Sequence, residues 1–256
     1  MFRNVDSSNE VLQGSQESIS NETFKNMSLY LWVNLLSFAG PFFLSFDKKV
    51  HFYTHWKSLI PAILIVGCVF VFWDVYFTEQ GIWGFNAEHL SGIYIFNLPI
   101  EECLFFFTIP YACVFIYEVL KAYFPKFRPS QFAYYFALFF TIVAFVLAIM
   151  FSDGVYSFYV LLSAGVVNWI LYFGFTPKWY PQFISSYIIV MIPFLVVNGI
   201  LTGAITEDPV VWYNQNHISG IKIYTIPIED MFYNFLMLLS VVGIHEFLKR
   251  KFSRVS

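Results

Sequence analysis

Seven apolar stretches, each about as long as a bilayer is thick, restrict this chain to one kind of fold. They run over residues 28–46, 58–78, 98–120, 132–151, 155–175, 183–203 and 226–248. A helix needs about 20 mostly apolar residues to cross the hydrocarbon core. Backbone in lipid must bond to itself, so only helices and closed barrels span, and runs of this length and continuity spell helices. The charge supply agrees: 12% of the 256 residues are charged and 58% are hydrophobic, where a soluble domain carries roughly 25% charged residues. The expected fold is all-α, a polytopic membrane protein of seven transmembrane helices. Residues 1–26 are rich in Ser, Asn, Glu and Gln, have no apolar core and are expected to form a disordered tail. No cleavable signal peptide is evident in them. Cys68, Cys103 and Cys113 all fall inside apolar runs and read as packing residues, not a disulfide framework.

The basic residues orient the chain. The connections 45–57, 121–131 and 174–182 and the C-terminal tail hold 11 of the 14 Lys and Arg. The positive-inside rule then puts the C-terminus in the cytoplasm and the N-terminus outside, in a multi-pass protein of the cell membrane.

The chain also repeats itself. At an offset of 128, His89-Leu90-Ser91-Gly92 matches His217-Ile218-Ser219-Gly220, Pro99 matches Pro227, Glu101 matches Glu229, and Glu102 matches Asp230. Upstream the offset falls to 124, where Asp74 and Thr78 match Asn198 and Thr202. Each copy is expected to hold three spans: residues 28–124, then a joining span at 131–152, then 155–252. The first and fifth spans cross in the same direction. The repeats are therefore parallel and related by a pseudo-twofold axis along the membrane normal. The third and seventh spans are expected to face each other across that axis.

Both of those spans open on paired acids, Pro99-Ile100-Glu101-Glu102 and Pro227-Ile228-Glu229-Asp230. Pro followed by an acid is an ordinary helix start, because the N-terminus favours negative charge. That reading accounts for one acid better than for two adjacent ones, and not for the repetition of a whole loop. Ionisable groups inside spans are costly and usually face the protein interior. Successive helical residues point about 100° apart, so only one acid of each pair can face the seam directly. The copies are not equivalent: Phe105-Phe106 becomes Tyr233-Asn234, and Asp74 becomes Asn198. Either the halves divide labour or the differences are drift. Asp74, Asn198, Phe105, Tyr233 and Asn234 are expected around the site, with a plain interhelical hydrogen bond as the other reading of Asp74 and Asn198. His89 and His217 lack the close spacing of a metal site and read as loop hydrogen bonds, so no metal is expected. Ile93-Tyr94-Ile95-Phe96 and Ile221-Lys222-Ile223-Tyr224 are apolar runs suited to capping the site, and Trp83 and Trp212 suit an interfacial belt. Glu118 and Glu246 each precede a Lys by three residues and read as ion pairs at the far end, outside the site. There is no G-x-G-x-x-G after a strand and no Walker A motif, and the last span has no Lys before Lys249 to carry a retinal Schiff base.

Two Pro-x-Glu-(Glu/Asp) helix starts on parallel three-span repeats resemble the small integral-membrane lycopene cyclase family, here with both halves in one chain. The resemblance covers roughly residues 28–252. It implies that the four acids matter for activity, that no flavin or other cofactor is used, and that the partners are lycopene or a related carotenoid and the lipid bilayer, with no nucleic acid. It leaves a homo-oligomer open. The chemistry implied is proton-in, proton-out cyclisation of an acyclic end group to a β-ring, with Glu101 and Glu229 assigned as acid and base and Glu102 and Asp230 supporting them. Three other readings stay open: an end-group hydratase, a proton-coupled carrier and a non-catalytic carotenoid-binding protein.

Overall fold

A computed structural model describes residues 28–253, so the expected disordered tail lies outside the described residues. Among the described residues seven helices run in order: α1 Leu29–Leu44, α2 Trp56–Glu79, α3 Ile100–Tyr123, α4 Ser130–Met150, α5 Val155–Trp169, α6 Tyr180–Leu201 and α7 Glu229–Ser253. A π-helical turn, Ile170–Gly174, extends α5. Six of the seven are long and apolar enough to cross a membrane. The exception is α1. Its 16 residues reach only about 24 Å. Ser28 caps its start by accepting from the Leu31 N–H. At its other end the chain turns on Asp47, whose carboxylate accepts from the Lys49 and Val50 N–H groups.

Within each repeat the first helix packs on the third, α1 on α3 and α5 on α7. The middle helices cross over: α2 packs on α7 and α6 packs on α3. The two repeats therefore interlock, and each completes the other's core. The fourth helix folds back on the fifth through a tight turn. Ala133, Ala137, Ala144, Ala148 and Ala164 are buried there, and small residues let helix backbones approach closely in lipid. Asn168 ties this pair to α6. It donates to Ala137 O and Thr141 Oγ1 and accepts from the Tyr180 hydroxyl.

At the basic end the expected ion pairs are rearranged. Glu118 does pair with Lys121, at 3.2 Å. Lys249, expected on Glu246, instead reaches across to Glu118 at 3.0 Å, and Lys121 reaches Glu246 at 2.5 Å. Fully buried His245 also bonds Glu118, at 3.1 Å. The exchange arises because α3 and α7 adjoin, so Lys121 meets both acids and Lys249 meets the acid of the neighbouring helix. Glu118→Gln leaves Lys249 and His245 without a charged acceptor. We expect it to destabilise the fold by about 1–3 kcal/mol, read as a lower thermal midpoint in detergent micelles.

Three short two-stranded ladders decorate the acid end. β2 (Tyr94–Ile95) pairs with β3 (Leu98–Pro99), and β5 (Lys222–Ile223) with β6 (Ile226–Pro227). These twin hairpins lead straight into α3 and α7. Phe96 and Tyr224 take left-handed turn positions, φ 56° and 57°, with side chains largely exposed. The third ladder joins the repeats: β1 (Trp83–Phe85) lies antiparallel to β4 (Val211–Tyr213), with Gly84 opposite Trp212. A Cβ on Gly84 would lie 2.3 Å from the Trp212 ring, so the close crossing of the two long loops depends on glycine.

Candidate active site

Each hairpin sets its proline just before a helix, and the acids follow in the first turn of α3 and α7. The 100° step between neighbours then splits each pair. Glu101 and Glu229 turn back to the loops. Both are fully buried, and each Oε1 accepts two bonds. Glu101 takes them from the Ser28 hydroxyl and the Ser91 N–H, each at 2.6 Å. Glu229 takes them from the Ser157 hydroxyl and the Ser219 N–H. The two arrangements are the same, one in each repeat. They pin the long loop to its helix.

Glu102 and Asp230 turn the other way, into a narrow cavity between the repeats. Helices α1, α2, α3, α5, α6 and α7 all contribute side chains to it, so the site is broader than the expected meeting of α3 and α7. The β1–β4 ladder roofs it through Trp83, Phe85, Val211 and Tyr213. The expected caps, residues 93–96 and 221–224, stay in the hairpins and do not line it. Trp83, expected in an interfacial belt, is instead buried in the cavity wall. Crossing of the long loops over the axis puts it there. Trp212 keeps an exposed face.

Within this cavity the repeats differ sharply. Asp230 accepts three hydrogen bonds: from the Tyr156 hydroxyl at 2.7 Å, from Asn198 Nδ2 at 2.7 Å and from the Tyr213 hydroxyl at 2.9 Å. Loss of solvent around its hydroxyl, with the Asp230 charge beside it, holds Tyr213 well above the ordinary tyrosine range and keeps it a donor. Glu102 accepts from Tyr30 alone among these positions. Where Asp230 has Asn198, Glu102 has Asp74, a second buried carboxyl on which the Glu102 charge acts. Where Asp230 has Tyr213, Glu102 has Phe85, 128 residues earlier and unable to donate. Asp230 thus sits among three donors, Glu102 has the Tyr30 hydroxyl, and Asp74 Oδ2 has no partner among the described residues. Three donors favour the ionised form. Two carboxyls in one apolar site repel when both ionise, which favours keeping a proton between them.

The remaining expected residues also line the cavity: Phe105, Tyr233 and Asn234. Phe105 packs edge-on against Tyr30, and the Tyr233 ring lies among Phe70, Trp73 and Phe106. The Tyr233 hydroxyl, the Asn234 amide and Asp74 Oδ2 are buried without a hydrogen-bond partner among the described residues. The aromatic walls present π-faces that stabilise a nearby cation, by roughly 2 kcal/mol or more when desolvated. His89 bonds the Asp208 carbonyl of the opposite loop. The His217 carbonyl accepts from the Tyr156 and Ser157 N–H groups at the start of α5. His89 thus ties the loops through its ring, whereas position 217 does so through its backbone, with the His217 Nδ1 buried and unpartnered among the described residues.

Sequence reasoning missed the donors. Tyr213 was recoverable, because it sits 128 residues after Phe85 in the same register as the acids. Tyr30 and Tyr156 are 126 residues apart, and Ser28 and Ser157 are 129 apart. The first and fifth helices present the same two groups in a different local order, so no single offset aligns them.

A family model described as lycopene cyclase matches the chain over residues 27–120 and again over 156–248, once for each repeat. Neither the curated proteins nor the solved structures give a match to the chain.

Proposed function

The chain belongs to the lycopene cyclase family, a cyclase of the isomerase type, and on that premise we propose that it closes the acyclic ψ-end groups of lycopene into β-rings by acid–base chemistry alone. The observation that carries this reading is the unequal setting of Glu102 and Asp230 in one aromatic-walled cavity. The reaction needs one group that gives a proton and another that takes one. Glu102, with Asp74 beside it, gives a proton to C2 of the terminal C1=C2 double bond. The C1 cation is attacked by the C5=C6 double bond, the C1–C6 bond closes, and the positive charge moves to C5. Asp230, held ionised by Tyr156, Asn198 and Tyr213, takes the proton from C6, and the new C5=C6 double bond completes the ring. One proton enters and one leaves, with no redox change.

This allocation differs from the one expected from sequence. Glu101 and Glu229 act as positioning residues that hold the loops, while Glu102 and Asp230 meet the substrate. Phe105, Tyr233 and the roof residues exclude the water that would trap the cation as an alcohol. The Lys and Arg distribution supports an outward-facing acid end, and the apolar substrate enters from the bilayer.

The test is purified protein supplied with lycopene, with products separated and weighed. Cyclisation leaves the mass unchanged, hydration adds one water, and a carrier or binding protein returns lycopene intact. Only the first result supports the proposal. A finer check is Tyr213→Phe, which keeps the ring against Trp83 and Tyr156 but removes one donor to Asp230. A hydrogen bond to a charged group is worth roughly 1.5–3 kcal/mol, so turnover should fall by roughly tenfold to a hundredfold with little change in KM.

A further inference from the structure

We propose that the chain holds an anionic phospholipid at the end of the bundle opposite the acids. Two adjoining features there have complementary chemistry. The first is a cavity whose lining includes Lys121, Arg128, Lys178, Arg250 and Trp179. Its single acid, Glu246, is already paired with Lys121. Among the described residues, Arg128, Lys178 and Arg250 make no ion pair with any carboxylate. Three uncompensated cations on three separate segments therefore converge on one space: the turn before α4, the turn before α6 and the end of α7. Guanidinium and ammonium groups so gathered suit a phosphate.

The second feature is an apolar groove walled by Leu120, Phe124, Phe127, Phe132, Ile188 and Ile189. Gln182 borders both spaces, and Leu120 and Phe127 directly precede Lys121 and Arg128 in the chain. A free anion would fill the basic cavity and leave the groove uncovered. A hydrocarbon alone would do the reverse. A phosphate joined to acyl chains satisfies both, and the basic end of a membrane protein is where such headgroups lie. The site stands about 28 Å along α3 from Glu102, at 1.5 Å per residue. It takes no part in the chemistry proposed above and does not rest on it.

Trp179 in the cavity wall supplies the readout. The full chain in detergent micelles is titrated with phosphatidylglycerol or phosphatidylcholine carrying brominated acyl chains. The signal of Trp179 is isolated by comparison with Trp179→Phe. Phosphatidylglycerol should quench Trp179 at a concentration roughly tenfold or more below that needed for phosphatidylcholine. Its apparent affinity should weaken roughly fivefold for each cation removed and should fall as salt rises. The triple variant Arg128→Gln, Lys178→Gln, Arg250→Gln should bind the two lipids alike. Should that variant fail to fold, Lys178→Gln alone decides, with a fivefold loss for phosphatidylglycerol and none for phosphatidylcholine. Equal quenching by both lipids in the wild type, or an unchanged preference in the variants, overturns the proposal. So does displacement of the brominated lipid by equimolar inorganic phosphate, which would mark a soluble-anion site.

Discussion

Asp230→Asn should lower β-ring formation from lycopene by roughly 10²–10⁴-fold, the usual range for losing a general base, and should change which ring the residual turnover makes. The Asn side chain fills the same space. It replaces a full acceptor with a half-donor, set against three groups that all donate: Tyr156, Asn198 and Tyr213. The proton source on the Glu102 side is untouched, so the C1 cation still forms and the ring still closes. What is lost is the selective removal of the C6 proton. The cation at C5 can then lose a proton from C4, giving an ε-ring, or from its methyl group, giving an exocyclic double bond. Products of unchanged mass but altered ring type are therefore the signature to seek by chromatography and NMR. A variant with wild-type rate and pure β-ring product would refute the assignment of Asp230 as base. Equal amounts of protein in the membrane, with an equal thermal midpoint, separate this result from misfolding.

Most of the architecture was legible in the sequence because lipid leaves the backbone few choices. Runs of about 20 apolar residues could only be helices, and six of the seven helices have spanning length. The first helix came out shorter because Asp47 and its two backbone partners end it, a local turn that hydropathy averages away. The acids were legible because they recur at a fixed offset. Their orientation was only half legible. The 100° step says that one acid of each pair faces inward, but which one depends on the entry angle of the helix. That angle is set by the hairpins and by Ser91 and Ser219, whose N–H groups draw Glu101 and Glu229 outward. No propensity encodes it.

The substituted positions between the repeats cluster at one site. Asp74 for Asn198 and Phe85 for Tyr213 both strip donors from Glu102, while Phe105 and Phe106 are matched by Tyr233 and Asn234 in α7. The groups on Glu101 and Glu229 keep the same kinds in both copies. A duplicated scaffold has thus kept the pair that holds the loops alike and made the pair that faces the cavity unlike, as the proposed division into proton donor and proton acceptor would require.

Glu102→Gln provides the opposite test to Asp230→Asn. Without a proton to give, the variant should not start the reaction, so turnover should fall by roughly 10²–10⁴-fold with the remaining product still a pure β-ring. Gln keeps the length of the side chain and can still accept from Tyr30, so the fold has little reason to change. Asp74→Asn then asks why the acid holds its proton. That substitution recreates on the first repeat the amide that Asn198 supplies on the second, turning the neighbour of Glu102 from a competing carboxyl into a donor. The added donor should favour the ionised form of Glu102, and turnover should fall by roughly tenfold to a hundredfold, an effect of the size of one hydrogen bond to a charged group. Asp74→Glu, which restores a carboxyl, should recover much of the rate. Run in D₂O, the wild type should place one deuterium at C2 of each new ring, and Glu102→Gln should slow that incorporation and ring closure equally. If Glu102→Gln instead altered the ring type while Asp230→Asn only slowed the reaction, the two carboxyls would have exchanged roles. The unequal hydrogen bonding around them would then need another explanation.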